Sequence, residues 1–283
     1  MSRLIDAHHH FWDPATAEYP WLTDDVAGIR RRFGPEDLLP DLASAGVDGT
    51  VLVQTRSGLD ETRQFLETAT VTPFIRGVVG WLDLTDRAIS DTIAELRASP
   101  GGEQLVGIRH QVHDEPDPEW LLRPDVVRGI AAVGRAGLVY DLLVRARELP
   151  AATALARRLP DVQFVVDHLA KPPIAEGQRQ PWASLLAEFG PLQNVAAKLS
   201  GLVTEANWTG WTAADIQPYV DVALDVFGPA RILFGSDWPV CLLAAPYAGV
   251  LEAARTLTGR LSPAERWAIF GGTAEEVYSL ATT

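Results

Sequence analysis

The chain holds 283 residues, 47 % of them hydrophobic, with a formal net charge of −13. That length and apolar content suit one large core, and an α/β barrel commonly occupies about 250 residues as a single domain. The acidic balance argues against nucleic-acid binding, which needs a basic face, and no apolar run reaches the roughly 18–20 residues that span a membrane. Asp6 and three histidines interrupt the N-terminal stretch where a signal peptide would carry its apolar core. With Cys241 as the lone cysteine, no internal disulfide forms, and a cytoplasmic location is expected.

Residues 4–10 read as the first strand, ending in Asp6-Ala7-His8-His9-His10-Phe11-Trp12. Alternate side chains of a strand share a face, which turns His8 and His10 one way and His9 the other. Two imidazoles side by side at the mouth of a strand suit one divalent metal or one polarised oxygen. A long connection follows, residues 11–48, carrying Trp12, Tyr19, Trp21 and Arg30-Arg31-Arg32 before a helix over 35–45. Connections of this length are commonly lids or binding loops.

Seven further β-rich runs come at 50–54, 75–82, 105–110, 138–144, 163–168, 195–200 and 232–237. Between them lie segments of helical period, among them 60–70, 86–98, 124–136, 151–158 and 213–226. Eight strands alternating with helices predict an α/β fold of one domain over residues 1–283, a (β/α)8 TIM barrel. No Gly-x-Gly-x-x-Gly turn follows the first strand, which weighs against a doubly wound sheet. Residues 262–281 read as capping helices.

The chemistry of such barrels sits at the C-terminal ends of the strands. Here those ends carry His8 and His10, Gln54, Trp81 and Asp83, Arg109 and His110, Asp141, His168, Lys198 with Ser200, and Asp237 with Trp238. All the histidines but His113 fall there. Barrel closure sets the first and last strands side by side, so Asp237 meets the histidine pair. Lys171 and Lys198 are the only lysines beside 22 arginines, and both lie at or just beyond strand ends, where a compact ammonium differs usefully from a guanidinium. Cys241, four residues past Asp237, reads as a buried spectator.

Six segments carry a resemblance: 6–12, Gly80-Trp81-Leu82-Asp83, Gly107-Ile108-Arg109-His110, Asp167-His168-Leu169-Ala170-Lys171-Pro172, Lys198-Leu199-Ser200-Gly201 and Phe234-Gly235-Ser236-Asp237-Trp238-Pro239. In order and over nearly the whole chain they resemble the lactonase branch of the amidohydrolase superfamily, the group of L-fucono- and L-rhamnono-lactonases and pyrone-dicarboxylate lactonase. His9 stands where Gln is more usual, and Ala170 where Gly is.

The resemblance implies hydrolysis of a small lactone, and no nucleic-acid or membrane partner is expected. Ester cleavage needs an activated water, an electrophile for the carbonyl oxygen and a proton for the leaving alkoxide. Asp237 is the expected base, with His8, His10 and His168 on the carbonyl oxygen. Gln54, Trp81, Asp83, Arg109, His110, Asp141, Lys171 and Trp238 are the expected substrate-binding residues, Asp141 by ordering Arg109, His110 or a substrate hydroxyl. No Lys lies on the fourth or fifth strand to bridge two metals. At most one divalent ion is therefore expected, on His8, His10 and Asp237 with His168 nearby, and zinc is the simplest choice; a metal-free site is the other reading. A metal-dependent decarboxylase or hydratase on the same fold, and a lactone isomerase, stand as alternatives. Oligomeric state is not legible.

Overall fold

A computed structural model describes residues 3–281. Its eight parallel strands follow chain order: β1 (Ile5–His9), β2 (Gly49–Val53), β3 (Ile75–Gly80), β4 (Leu105–His110), β5 (Val139–Leu142), β6 (Phe164–Val166), β7 (Val195–Leu199) and β8 (Ile232–Phe234). Just beyond β8 the ring closes on β1, where the His10 amide donates to the Trp238 carbonyl at 2.7 Å and the Asp237 amide to the His8 carbonyl at 2.8 Å. The fold is a single-domain (β/α)8 barrel.

Around the ring stand α1 (Pro35–Ala45), α2 (Leu59–Val71), α3 (Ile89–Ala98), α4 (Pro124–Arg135), α5 (Leu149–Arg158), α6 (Trp182–Ala187), α7 (Leu202–Glu205), α8 (Ala213–Phe227) and α9 (Tyr247–Leu257). Two short helices follow, α10 (Pro263–Trp267) and α11 (Thr273–Val277). Both faces of most strands are buried, so the runs read as continuous apolar stretches rather than alternating ones. No helix among the described residues is long and apolar enough to cross a membrane.

Inside the ring the lower half is apolar. Ile5, Ala7, Val51, Val139, Val165 and Leu233 pack there, plugged from the N-terminal side by Tyr278 and Leu280. Polar groups fill the upper half, where β4 to β7 contribute Arg109, Asp141, Asp167 and Lys198, all buried.

One irregularity decides what β1 offers. Ala7 faces the barrel interior, while the Asp6 carboxylate turns outward and accepts from the Tyr247 hydroxyl of α9 at 3.1 Å. Strict alternation would send His8 outward as well. Instead the pairing with β2 slips between Asp6 and His9, and Asp6 Oδ1 takes the His8 amide. A bulge of this kind re-aims side chains: His8 and His10 point into the barrel, and His9 points out to the Thr50 hydroxyl at 2.8 Å.

Candidate active site

At the C-terminal mouth the Nε2 atoms of His8 and His10 lie 3.1 Å apart. Asp237 Oδ1 is 3.8 Å from His8 Nε2, 3.4 Å from His10 Nε2 and 3.8 Å from His168 Nε2. Side-chain donor atoms of His8, His168 and Asp237 lie within 4.8 Å of one another. His168 therefore belongs to the cluster itself. Close packing makes room for it: a Cβ on Gly235 would sit 2.6 Å from His8 Cβ, and one on Gly201 would sit 2.5 Å from His168 Nδ1.

Each imidazole is oriented from behind. His10 Nδ1 lies 2.7 Å from the Val53 carbonyl. A carbonyl only accepts, so Nδ1 carries the proton and Nε2 presents its lone pair to the cluster. His168 Nδ1 meets Ser200 Oγ at 2.8 Å. His8 lies between two cations, with Arg109 Nη1 3.1 Å from Nε2 and Lys198 Nζ 3.2 Å from Nδ1. Arg109 is itself tied to Gln54 Oε1 at 2.8 Å and to Asp167 at 2.9 Å.

Burial, reinforced by Lys198, holds the His8 pKa well below its ordinary value. Burial lowers His10 and brings His168 down to about 4. For Asp237 burial acts upward, but attraction to His168 and His10 in their protonated forms, which arise at the acid end where a carboxyl titrates, outweighs it and leaves the carboxyl below its usual range. The cluster at neutral pH is three neutral imidazoles around one carboxylate.

Backbone strain concentrates here. Asp237 sits at φ 58°, and His168, Leu169, Ala170 and Lys171 at 52°, 50°, 60° and 49°. Left-handed backbone costs a non-glycine residue roughly 1–2 kcal/mol, so surrounding contacts must hold these residues in place.

Above the cluster opens a cavity of about 320 Å³, with His10, His168 and Asp237 in its wall. One flank is polar: Arg109, Gln111, His113, Arg145, Lys171 and Glu205. The other is largely apolar, with Trp21, Val26, Val240 and Leu243. Lys171 Nζ is paired with Glu205 at 2.7 Å. His113 Nδ1 is buried without a partner.

Of the expected substrate-binding residues, Arg109 and Lys171 line this cavity, and Gln54 stands behind Arg109. Gln54 and the other five do not line it. His110 neighbours Arg109 on β4 and so faces the other way; it stacks on Trp120 with centroids 4.4 Å apart and contacts Glu115. Trp81 donates to His110 Nδ1 at 3.0 Å, outside the cavity. The Asp83 carboxylate is spent on the amide and hydroxyl of Thr85. Trp238 packs between Phe11 and Phe33 while its backbone closes the barrel. The expectation that Asp141 orders Arg109, His110 or a substrate hydroxyl is corrected: it lies fully buried below the cavity, held by Lys198 at 2.5 Å and by the Tyr278 hydroxyl.

Sequence reading missed His113, Arg145, Gln111, Thr204, Glu205 and Trp208. These sit on loops or short helices after strands; the long connection after His110 was a signal for Gln111 and His113 alone, and nothing in the sequence marked Arg145, Thr204, Glu205 or Trp208.

The donor set suits a divalent ion. His10 Nε2 offers a lone pair 3.4 Å from Asp237 Oδ1, an oxygen that also only accepts. Neutral imidazoles with one carboxylate match zinc-type coordination, with the Val53 carbonyl behind His10 Nδ1 and Asp167 Oδ1 3.4 Å from His8 Nδ1 as acceptors that leave Nε2 free to ligate.

A barrel with inward histidines on its first strand and an aspartate just past its eighth defines the amidohydrolase class of enzyme. The family profile described as amidohydrolase matches residues 5–280, and the chain belongs to that family. It is 42 % identical to an L-fucono-1,5-lactonase of Burkholderia multivorans, over 98 % of this chain and 96 % of that protein. Identity to an L-fucono-1,5-lactonase of Burkholderia ambifaria is 39 %, over 99 % and 97 %. A crystal structure of an amidohydrolase from Burkholderia multivorans with bound zinc matches with a TM-score of 0.93 at 41 % identity, covering 99 % of this chain and all of that one.

Proposed function

We propose that this protein hydrolyses a small sugar-acid lactone, with a 6-deoxy-aldono-1,5-lactone as preferred substrate. The observation that carries the reading is Asp237: an ionised carboxylate facing three neutral imidazoles in the wall of a cavity large enough for one monosaccharide ring. The similarity to L-fucono-1,5-lactonases supports the choice of ester.

Asp237 takes a proton from water, and the resulting hydroxide adds to the lactone carbonyl. Arg109 donates to the oxygen that gains charge as the carbonyl is attacked, and His168 adds an Nε2 proton when its Nδ1 accepts from the Ser200 hydroxyl. Asp237 then returns its proton to the ring oxygen as the C–O bond breaks, giving the open hydroxy acid. His8, His10, His168 and Asp237 are the residues that would hold a zinc ion, which when bound supplies Lewis-acid polarisation of the carbonyl.

Substrate orientation follows from the two flanks. Hydroxyls meet Lys171, Gln111, Arg145 and His113, while Trp21, Val26, Val240 and Leu243 accept an apolar edge such as the methyl of a 6-deoxy sugar. A pH-indicator assay over a panel of aldono-1,5-lactones tests this. The 6-deoxy lactone should exceed its hydroxymethyl counterpart by about tenfold or more in kcat/KM, the scale on which an apolar pocket rejects a hydroxyl. Decarboxylation or hydration of unsaturated acids with no lactone opening would point instead to the other chemistries of this fold.

A further inference from the structure

We propose that Trp182 is a positioning residue for this reaction: by holding the Leu169 carbonyl it keeps residues 168–171 in a left-handed turn and so aims His168 at the site. The kinetic part rests on the lactonase reading; the structural part does not.

Four consecutive residues, none of them glycine, take positive φ at the end of β6. L-residues do not hold such a run unaided. The turn is anchored at both ends, by Ser200 on His168 Nδ1 at 2.8 Å and by Glu205 on Lys171 Nζ at 2.7 Å. It also closes on itself, the Lys171 amide donating to the His168 carbonyl at 2.9 Å. Its middle is held by one side-chain hydrogen bond, Trp182 Nε1 donating to the Leu169 carbonyl at 2.7 Å.

Trp182 is well placed to be a fixed support. It is fully buried at the start of α6, and its ring leans on Tyr219 of α8 with centroids 5.5 Å apart. The Tyr219 hydroxyl in turn donates to the carbonyls of Pro173 and Gln178, beyond the turn. Two outer helices are thus braced against the loop that carries His168 and Lys171. A buried tryptophan N–H usually finds an acceptor, and here the acceptor is the carbonyl at the middle of the left-handed turn. If Leu169 or Ala170 relaxes to negative φ, the intervening peptide rotates and the His168 ring moves off its line to Asp237. A displacement near 1 Å is enough to cost on the order of 10²-fold in rate.

Trp182→Phe keeps an aromatic ring and removes the donor. With an aldono-1,5-lactone, kcat should fall about tenfold or more while KM stays within about threefold, because Lys171 remains tied to Glu205. A crystal structure of the variant should show Leu169 or Ala170 at negative φ, or the His168–Ser200 bond broken. Adding Ala170→Gly removes the steric penalty of the left-handed position, and should return kcat to within about threefold of wild type. Unchanged kcat in Trp182→Phe, a lowered kcat with the turn and His168 unmoved, or no recovery in the double variant overturns the proposal. Should Trp182→Phe fail to fold, the double variant decides: a folded protein of near-normal kcat supports the brace, and failure of both to fold assigns Trp182 a purely structural role and overturns it. If the wild type opens no lactone, the crystallographic comparison still decides the brace, so the two readings fail separately.

Discussion

Lys198 places its ammonium 3.2 Å from Nδ1 of His8. The same nitrogen lies 2.5 Å from Asp141 and 3.0 Å from Asp167, and all of these side chains are fully buried. Lys198 and Arg109 together balance the two carboxylates, so the layer beneath the histidines is close to neutral. A compact ammonium can serve several acceptors converging from different strands, which accounts for a lysine here in a chain that otherwise uses arginine.

Removing that charge leaves two carboxylates close together and short of a buried cation. Lys198→Met should destabilise the fold by about 3–5 kcal/mol in urea titration. Lys198→Met combined with Asp141→Leu should recover a large part of the loss. A single variant as stable as wild type would show that the layer is not organised by this pair.

Lys171 contributes to binding rather than to bond breaking. Its ammonium stands in the cavity wall, paired with Glu205 rather than with Asp237. Lys171→Ala should raise KM by about tenfold and change kcat by less than about threefold, the pattern of uniform binding lost. A large fall in kcat at constant KM would place Lys171 on the transition state.

His113 gives the acid limb of the stability curve a definite sign. Burial, with Lys171 and Arg145 adding to it, pushes its pKa down to about 3, whereas an unfolded chain protonates histidine near 6.5. Between those values the unfolded state binds the extra proton, so stability is full above about 6.5 and is lost as pH falls toward 3. His113→Gln should flatten that decline by up to about 1.4 kcal/mol per pH unit, one proton's worth. Urea midpoints from pH 7.5 to 4.5 measure it, and an unchanged slope would contradict it.

The metal content follows from the same geometry. Among the described residues, one group offers a metal's donor set, and Asp141 is committed to Lys198 and Tyr278. Elemental analysis should find no more than one equivalent of zinc per chain. His168→Asn should weaken zinc binding in a competition titration by about tenfold or more. Two equivalents in active protein would require a second set of ligands.

The barrel was legible because its eight β-rich runs and the helical segments between them stand out at regular spacing. His8, His10, His168 and Asp237 were legible because they end those runs. Local backbone events were not. The sixth strand stops at Val166 rather than 168 because the next residues but one turn left-handed. The eighth stops at Phe234 because Asp237 adopts φ 58°. Asp6 to His9 hides a bulge that alternation alone does not reveal. His110 and Trp238 show the converse limit, since a place at a strand end does not say which face a side chain takes. His113 and Arg145 reach the cavity only through the way two loops fold back over it.

Asp237 is the residue on which the chemistry turns. The decisive measurement compares wild type with Asp237→Asn in steady-state hydrolysis of a 6-deoxy-aldono-1,5-lactone, with folding of the variant checked by circular dichroism. A positioned base is worth about 10²-fold or more in rate. The folded Asn variant should lose at least that much of kcat; turnover near the wild-type rate would show that some other group activates the water.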